Sequence, residues 1–180
     1  MIMIKTFTSA SANKYLRRLE DEKSLLLSRE TTVCTFVRAQ GEEVAAPAYD
    51  YAATRLRVAR IDAVVCKLRH ALHAFNVETL LPDSDLTIDE ALVVLAQLSG
   101  EQRRLDTMRS RQPCTRVTGS RGWGGNSSPV IIEYEYTNYD VAEAERDYQE
   151  LTDRINDLQL KLDLCNQTVT FDVELQSLDE

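Results

Sequence analysis

The chain has 180 residues, enough for one domain with a core of its own. Hydrophobic residues make up 43% and charged residues 28%, which excludes a disordered or membrane-embedded composition, and scarce Gly (6) and Pro (4) disfavour an all-β sandwich. The 21 Lys and Arg residues against 29 Asp and Glu leave a net charge of -8, which argues against wrapping long nucleic acid because phosphate neutralisation needs a basic surface.

In chain order, Ser9–Arg29 is rich in helix formers with Leu16, Leu19 and Leu26 on one face, and it reads as a first helix. The start before it, MIMIK, is an apolar tip with no hydrophobic region following, so no signal peptide is expected. Thr31–Ala39 is β-branched and alternating, the pattern of a strand, and GEEVAAPA after it reads as a loop. From Asp50 to Asn76, Val58, Ile61, Val65, Leu68, Leu72 and Phe75 fall at steps of three and four, the seam of a long helix packed on another. NVETLLPDSDL reads as a loop leading to Thr87-Ile88-Asp89-Glu90, a capping box in which the Thr87 hydroxyl accepts from the Glu90 amide.

A third helix is therefore expected from Ile88 to about Ser110, burying Leu92, Leu95, Leu98 and Leu105, with Pro113 ending it. Its longest uncharged apolar run, Ala91–Gly100, falls far short of the roughly 20 residues that span a bilayer, so no membrane partner is expected. CTRVTG and Val130–Tyr139 read as two strands joined across the Gly- and Ser-rich SRGWGGNSS. Asp140 caps a helix running to about Cys165, in which Val141, Tyr148, Leu151, Ile155, Leu158, Leu162 and Cys165 make a heptad seam. NQTVTFDVELQ reads as a short strand with Val169, Phe171, Val173 and Leu175 on one face.

These elements predict an α+β fold: one domain over residues 1–180, with long antiparallel heptad-patterned helices carrying a small antiparallel sheet. The seams of Asp50–Asn76 and Val141–Cys165 need cover, from each other or from a second copy of the chain, and a homo-oligomer is expected. Cys34, Cys66, Cys114 and Cys165 are widely separated with no C-x-x-C pair, and read as free, mostly buried thiols in a reducing cytoplasm.

The stretches LHAFNVETLLPDSDLTIDEALVVLAQLSGEQRRLDTMRSR, IIEYEYTNYDVAEAERDY and LCNQTVTFDVEL resemble a family of small, largely uncharacterised bacterial and phage proteins, some of which carry the name septicolysin. The resemblance covers about the last two-thirds of the chain. It implies a helical coiled-coil body with a small β element and brings no catalytic residues; with the cysteine usage above, the expected location is the cytoplasm of a bacterial host cell. The name implies membrane lysis, yet this chain offers no amphipathic hairpin or long apolar segment suited to entering a bilayer.

Charge is unevenly distributed. Gln102–Arg121 holds six arginines (Arg103, Arg104, Arg109, Arg111, Arg116, Arg121) against Asp106 alone, a local charge of +5, while Glu133–Glu180 carries -11. The basic stretch runs into Gly119–Ser128, where glycines let backbone amides converge on an anion and Trp123 can stack on a base. Neither a Walker G-K-S/T sequence nor Rossmann spacing is present. The candidate site for a small anionic, nucleotide-like ligand therefore comprises Arg109, Arg111, Arg116, Arg121, Trp123, Asn126 and Ser127, with Tyr136 and Tyr139 as flanking rings. The competing reading makes this loop a hairpin tip, pairs its arginines with the acidic last helix, and packs the tyrosines on a helix.

His70 and His73 lack a third ligand and read as a solvated helix face, while the acid pairs Glu133/Glu135 and Glu143/Asp147 lack a His, Ser or metal beside them. No catalytic residue, metal or cofactor is expected, and the chain reads as a non-enzyme. Two functions stay open. One is an oligomeric binding protein that sequesters a nucleotide-like molecule, by analogy with phage counter-defence proteins that absorb an immune signal. The other is a structural or adaptor protein whose basic loop docks a protein partner.

Overall fold

The computed structural model describes residues 2–117 and 132–178. Among these residues the fold is α+β, with four helices and two small antiparallel sheets, and the chain divides into two compact units, Met1–Asp89 with Leu162–Glu180, and Glu90–Lys161.

In the first unit, β1 (Ile2–Thr8) pairs antiparallel with β4 (Thr170–Gln176), from Ile2 opposite Gln176 to Thr8 opposite Thr170. By its residues alone MIMIK is an apolar tip. Its strand character depends on β4, a partner from the far end of the chain. Alternation then sorts the side chains: Phe7, Val173 and Leu175 are buried, while Ile2 and Ile4 remain exposed. Phe171 stacks on Phe75 at 4.7 Å and stands 6.4 Å from Phe7. Thr8 ends the strand and starts α1 (Ser9–Val33) through a capping box with Ser11, each side chain bonding the other's backbone amide.

Helix α1 continues through Thr31–Val33, where the residue pattern predicts a strand. The Thr31 and Thr32 hydroxyls donate to the carbonyls of Leu27 and Ser28 at 2.9 and 3.1 Å, and the Cys34 amide bonds Glu30 O at 2.9 Å. No strand forms over 34–39, and Phe36 and Val37 are exposed. A β-branched run becomes a strand only where a sheet edge accepts its backbone, and among the described residues the first unit's sheet consists of β1 and β4.

Asp50 caps α2 (Tyr51–Glu78) by accepting from the Ala53 amide at 2.9 Å. Ion pairs link Glu20 to Arg69, Glu22 to Arg57 and Lys23 to Asp62; the pair earliest on α1 reaches furthest along α2, as in antiparallel helices. The buried set on α2 is Ile61, Val64, Leu68, Leu72 and Phe75, with Val64 replacing the anticipated Val65. Helix α2 packs on α1 and β4, and these neighbours supply cover that the sequence reading sought in the last helix or a second copy. The following turn, closed by Leu81 N–H to Leu86 O and Ile88 N–H to Thr79 O, both 2.9 Å, leads into α3 (Ile88–Arg109).

Most of α3 belongs to the second unit, together with β2 (Cys114–Val117), β3 (Glu133–Tyr136) and much of α4 (Val141–Thr168). The inward stripe of α3 passes through Ala91 and Leu105, with Leu95 and Leu98 half-buried. Leu92, expected inside, is 46% exposed, because it lies one residue and about 100° around the helix from Ala91. On α4, Asp140 accepts from the Ala142 amide at 2.8 Å, and Ile155, Leu158, Leu162 and Cys165 are buried. All four cysteines are free, but Cys34, Cys66 and Cys114 are exposed, correcting the expectation of mostly buried thiols. Burial raises the pKa of the Cys165 thiol. Among the described residues, no helix is long and apolar enough to cross a membrane.

Candidate functional site

The site is a corner of the second unit, where α3 ends and the β2–β3 hairpin begins. Pro113 cannot continue a helix, and its carbonyl accepts from the Thr137 amide at 3.1 Å, setting the base of the hairpin beside the end of α3. The hairpin pairs Cys114 with Tyr136 and Val117 with Glu133, and all eight of its residues are exposed.

An open cavity of about 510 Å³ lies at this corner. Arg111 and Gln112 come from the α3–β2 connection, Thr115 from β2, Glu135 and Tyr136 from β3, and Thr137 to Tyr139 from the turn before α4. Arg111 reaches Glu135 at 3.5 Å with both side chains more than half exposed, so the pair is weak and an entering anion can compete for the guanidinium. Tyr136 is 69% exposed, and the neighbouring Cys114 thiol raises its phenol pKa. Tyr139 is half-buried and donates to the Met108 carbonyl at 2.8 Å, fixing its ring across the last turn of α3.

The structure thus brings together Arg111, Tyr136 and Tyr139 from the sequence-derived set. Arg109 has another task. It bonds Asp106 at 2.8 Å and Glu145 at 3.1 Å, and its guanidinium lies 4.0 Å from the centre of the Tyr148 ring. These carboxylates, Asp106 first and Glu145 second, raise the Arg109 pKa, while Gln149 and then Arg109 lower that of Glu145. The residue therefore clamps α3 to α4, as the competing reading of the basic stretch expected. Arg104 is likewise tied to Glu101, one residue outside the +5 window.

Arg116 stands opposite Tyr134 on the hairpin and has no ion-pair partner among the described residues. The Tyr134 and Tyr136 rings lie 6.4 Å apart, both exposed, so the expectation that these two pack on a helix is corrected. Period-two alternation puts them on one open face of a two-stranded sheet. Arg121, Trp123, Asn126 and Ser127 lie outside the described residues. Gln112, Thr115, Thr137 and Asn138 were missed from sequence; their only signal was proximity to Pro113 and to the Asp140 cap. Among the described residues, no group of three or more His, Cys, Asp or Glu side chains is placed to hold one metal ion.

No family model and no curated protein matches the chain. A solved structure of a functionally unknown conserved protein from Corynebacterium diphtheriae is similar in fold, with a TM-score of 0.56 at 15% identity. The match covers 96% of this chain and 100% of that one.

Proposed function

We propose that the chain is a non-enzymatic binding protein, acting as a homo-oligomer, that sequesters a small anionic, ring-bearing ligand of nucleotide type at the α3–β2 corner. The observation carrying this reading is the 510 Å³ cavity, whose lining includes one weakly paired guanidinium, Arg111, with its partner Glu135, two tyrosines, Tyr136 and Tyr139, and a set of neutral hydrogen-bonding residues. Arginine suits the phosphate and an exposed tyrosine suits a base, while Gln112, Thr115 and Asn138 offer donors and acceptors to a sugar. Calorimetry with cyclic nucleotides and ADP-ribose is the test. Binding by the wild type, weakened at least tenfold in Arg111→Ala and Tyr136→Ala, supports the site. No binding of any of these nucleotides, or equal binding by both variants, overturns it.

A second reading, an adaptor that docks a protein partner, draws on the hairpin face. Arg116, Tyr134 and Tyr136 are all exposed there, and arginine with tyrosine is the composition of interface hot spots. A stoichiometric protein retained through purification, and lost in Tyr134→Ala, favours the adaptor. Retained nucleotide favours sequestration.

A further inference from the structure

A second cavity, in the first unit, has the makings of a separate anion site. The ion pairs crossing from α1 to α2 join Lys23 to Asp62 at 2.6 Å, Glu22 to Arg57 at 2.5 Å, and Glu20 to Arg69. Each rung sets a base against an acid. One turn nearer the start of α1 the rule fails: a cleft of about 560 Å³ is lined by Arg17 and Asn13 of α1 and by His73 of α2, with no carboxylate among them. Arg69 also lines the cleft, and Glu20 is its one acid.

Helical spacing explains the convergence. Asn13, Arg17 and Glu20 lie at i, i+4 and i+7 on α1, and Arg69 and His73 at i and i+4 on α2, so each set forms a ridge along one side of its helix. Leu16 and Leu72, both buried, lie between the ridges as an apolar floor. Arg17 and His73 have neither a hydrogen-bond nor an ion-pair partner among the described residues. The Glu20–Arg69 pair is about half exposed and correspondingly weak, so Arg69 can turn part of its fork to a ligand.

We infer that this cleft binds a compact oxyanion of charge -2, such as the terminal phosphate of a small metabolite. Arg17 and Arg69 approach it from opposite helices, and His73 and Asn13 supply further hydrogen bonds. Two guanidiniums from facing helices give the planar, forked donors that tetrahedral oxyanions accept. The site is independent of the α3–β2 corner and stands or falls separately.

The probe is sodium sulfate, titrated into the full chain against sodium chloride at equal ionic strength and followed by amide and arginine side-chain NMR. Saturable shifts are expected at Arg17, Arg69 and His73 in the wild type and in Arg111→Ala. The Arg17→Ala/His73→Ala double variant should bind at least tenfold more weakly. Since neither side chain has a partner to lose among the described residues, its amide spectrum should otherwise match the wild type. Arg17→Glu completes the ladder with an acid and should abolish sulfate binding while raising the melting temperature in sulfate-free buffer. Non-saturable shifts in the wild type, or an unchanged affinity in the Arg17→Ala/His73→Ala variant or in Arg17→Glu, overturn the inference.

Discussion

Arg109 illustrates how the same residue type serves different ends within one basic stretch. Its fork is filled by Asp106 and Glu145 and its flat face by Tyr148, whereas the ion pair of Arg111, two residues on, among the described residues is a 3.5 Å contact to Glu135. Lysine keeps the charge at position 109 but loses the fork and the stacking, so Arg109→Ala should lower the melting temperature and Arg109→Lys should recover only part of the loss. Glu145 supplies the pH dependence of this clamp. Its folded pKa lies below the ordinary carboxylate value, so its contribution is present above that value and lost as the pH falls through the lowered one. The difference in melting temperature between wild type and Glu145→Gln should therefore shrink to nothing in strong acid. A difference that persists there would show that the charge of Glu145 is not what holds the clamp.

Tyr49 offers a second residue-scale measurement. Its hydroxyl donates to the Glu30 carboxylate, which, with burial and the Glu30 charge, pushes the phenol up to about 12. A folded pKa above the unfolded one stabilises below the ordinary phenol value and is lost as the pH rises through about 12. Ultraviolet titration of the chain, which has 7 tyrosines, should show a late ionisation at about 12, separate from that of Tyr136, which Cys114 also raises; this phase should disappear in Tyr49→Phe and move to lower pH in Glu30→Gln. Survival of that late phase in Tyr49→Phe would assign it elsewhere.

At the scale of elements, the helix boundaries were legible because local chemistry sets them. Asp50 and Asp140 accept from amides two or three residues on, Pro113 stops what precedes it, and α3 starts at Ile88 as the sequence suggests. Strands were legible only in part. The alternating Thr31–Ala39 run has no sheet edge beside it and gives up its first residues to α1, while the seven residues of β1 form a strand because β4 lies alongside. The Thr6 hydroxyl donates to Asp172 at 2.6 Å across that pair, and Phe7 fills the space beneath it. Phe7→Ala should cost about 3–5 kcal/mol in urea unfolding, the range for a buried aromatic truncated in a packed core. Ile4→Ala, on the exposed face, should change stability by less than about 1 kcal/mol. Equal losses at both positions would mean that β1 does not pack as described.

At the scale of the whole molecule, the distribution of buried apolar groups is uneven between the two units. Within Glu90–Lys161 the described buried hydrophobic residues are Ala91, Leu105, Ala144, Ile155 and Leu158, while Leu92, Val93, Tyr134, Tyr136 and Leu160 stay exposed. Exposed apolar groups on helices invite a second helix, which favours the proposed self-association. Native mass spectrometry should find multiples of the 20.4 kDa chain, shifted toward the monomer by Leu92→Glu/Val93→Glu. A wild-type chain that stays monomeric at micromolar concentration would remove the oligomer from the proposal.

The amino-acid sequence by itself determined the α+β class, the helix starts and the α4 stripe, because capping, proline geometry and helical periodicity act between residues a few positions apart. It also marked the arginine-rich stretch. Only the tertiary structure decided which arginines are already occupied, since Glu145 lies 36 positions from its partner Arg109 and Glu135 lies 24 from its partner Arg111. The same holds for β1, whose partner strand comes from the far end of the chain, and for Arg17, Arg69 and His73, which become neighbours only when two antiparallel helices pack. Charge counted along a chain is a local quantity, whereas the charge available to a ligand is what remains after distant partners have met.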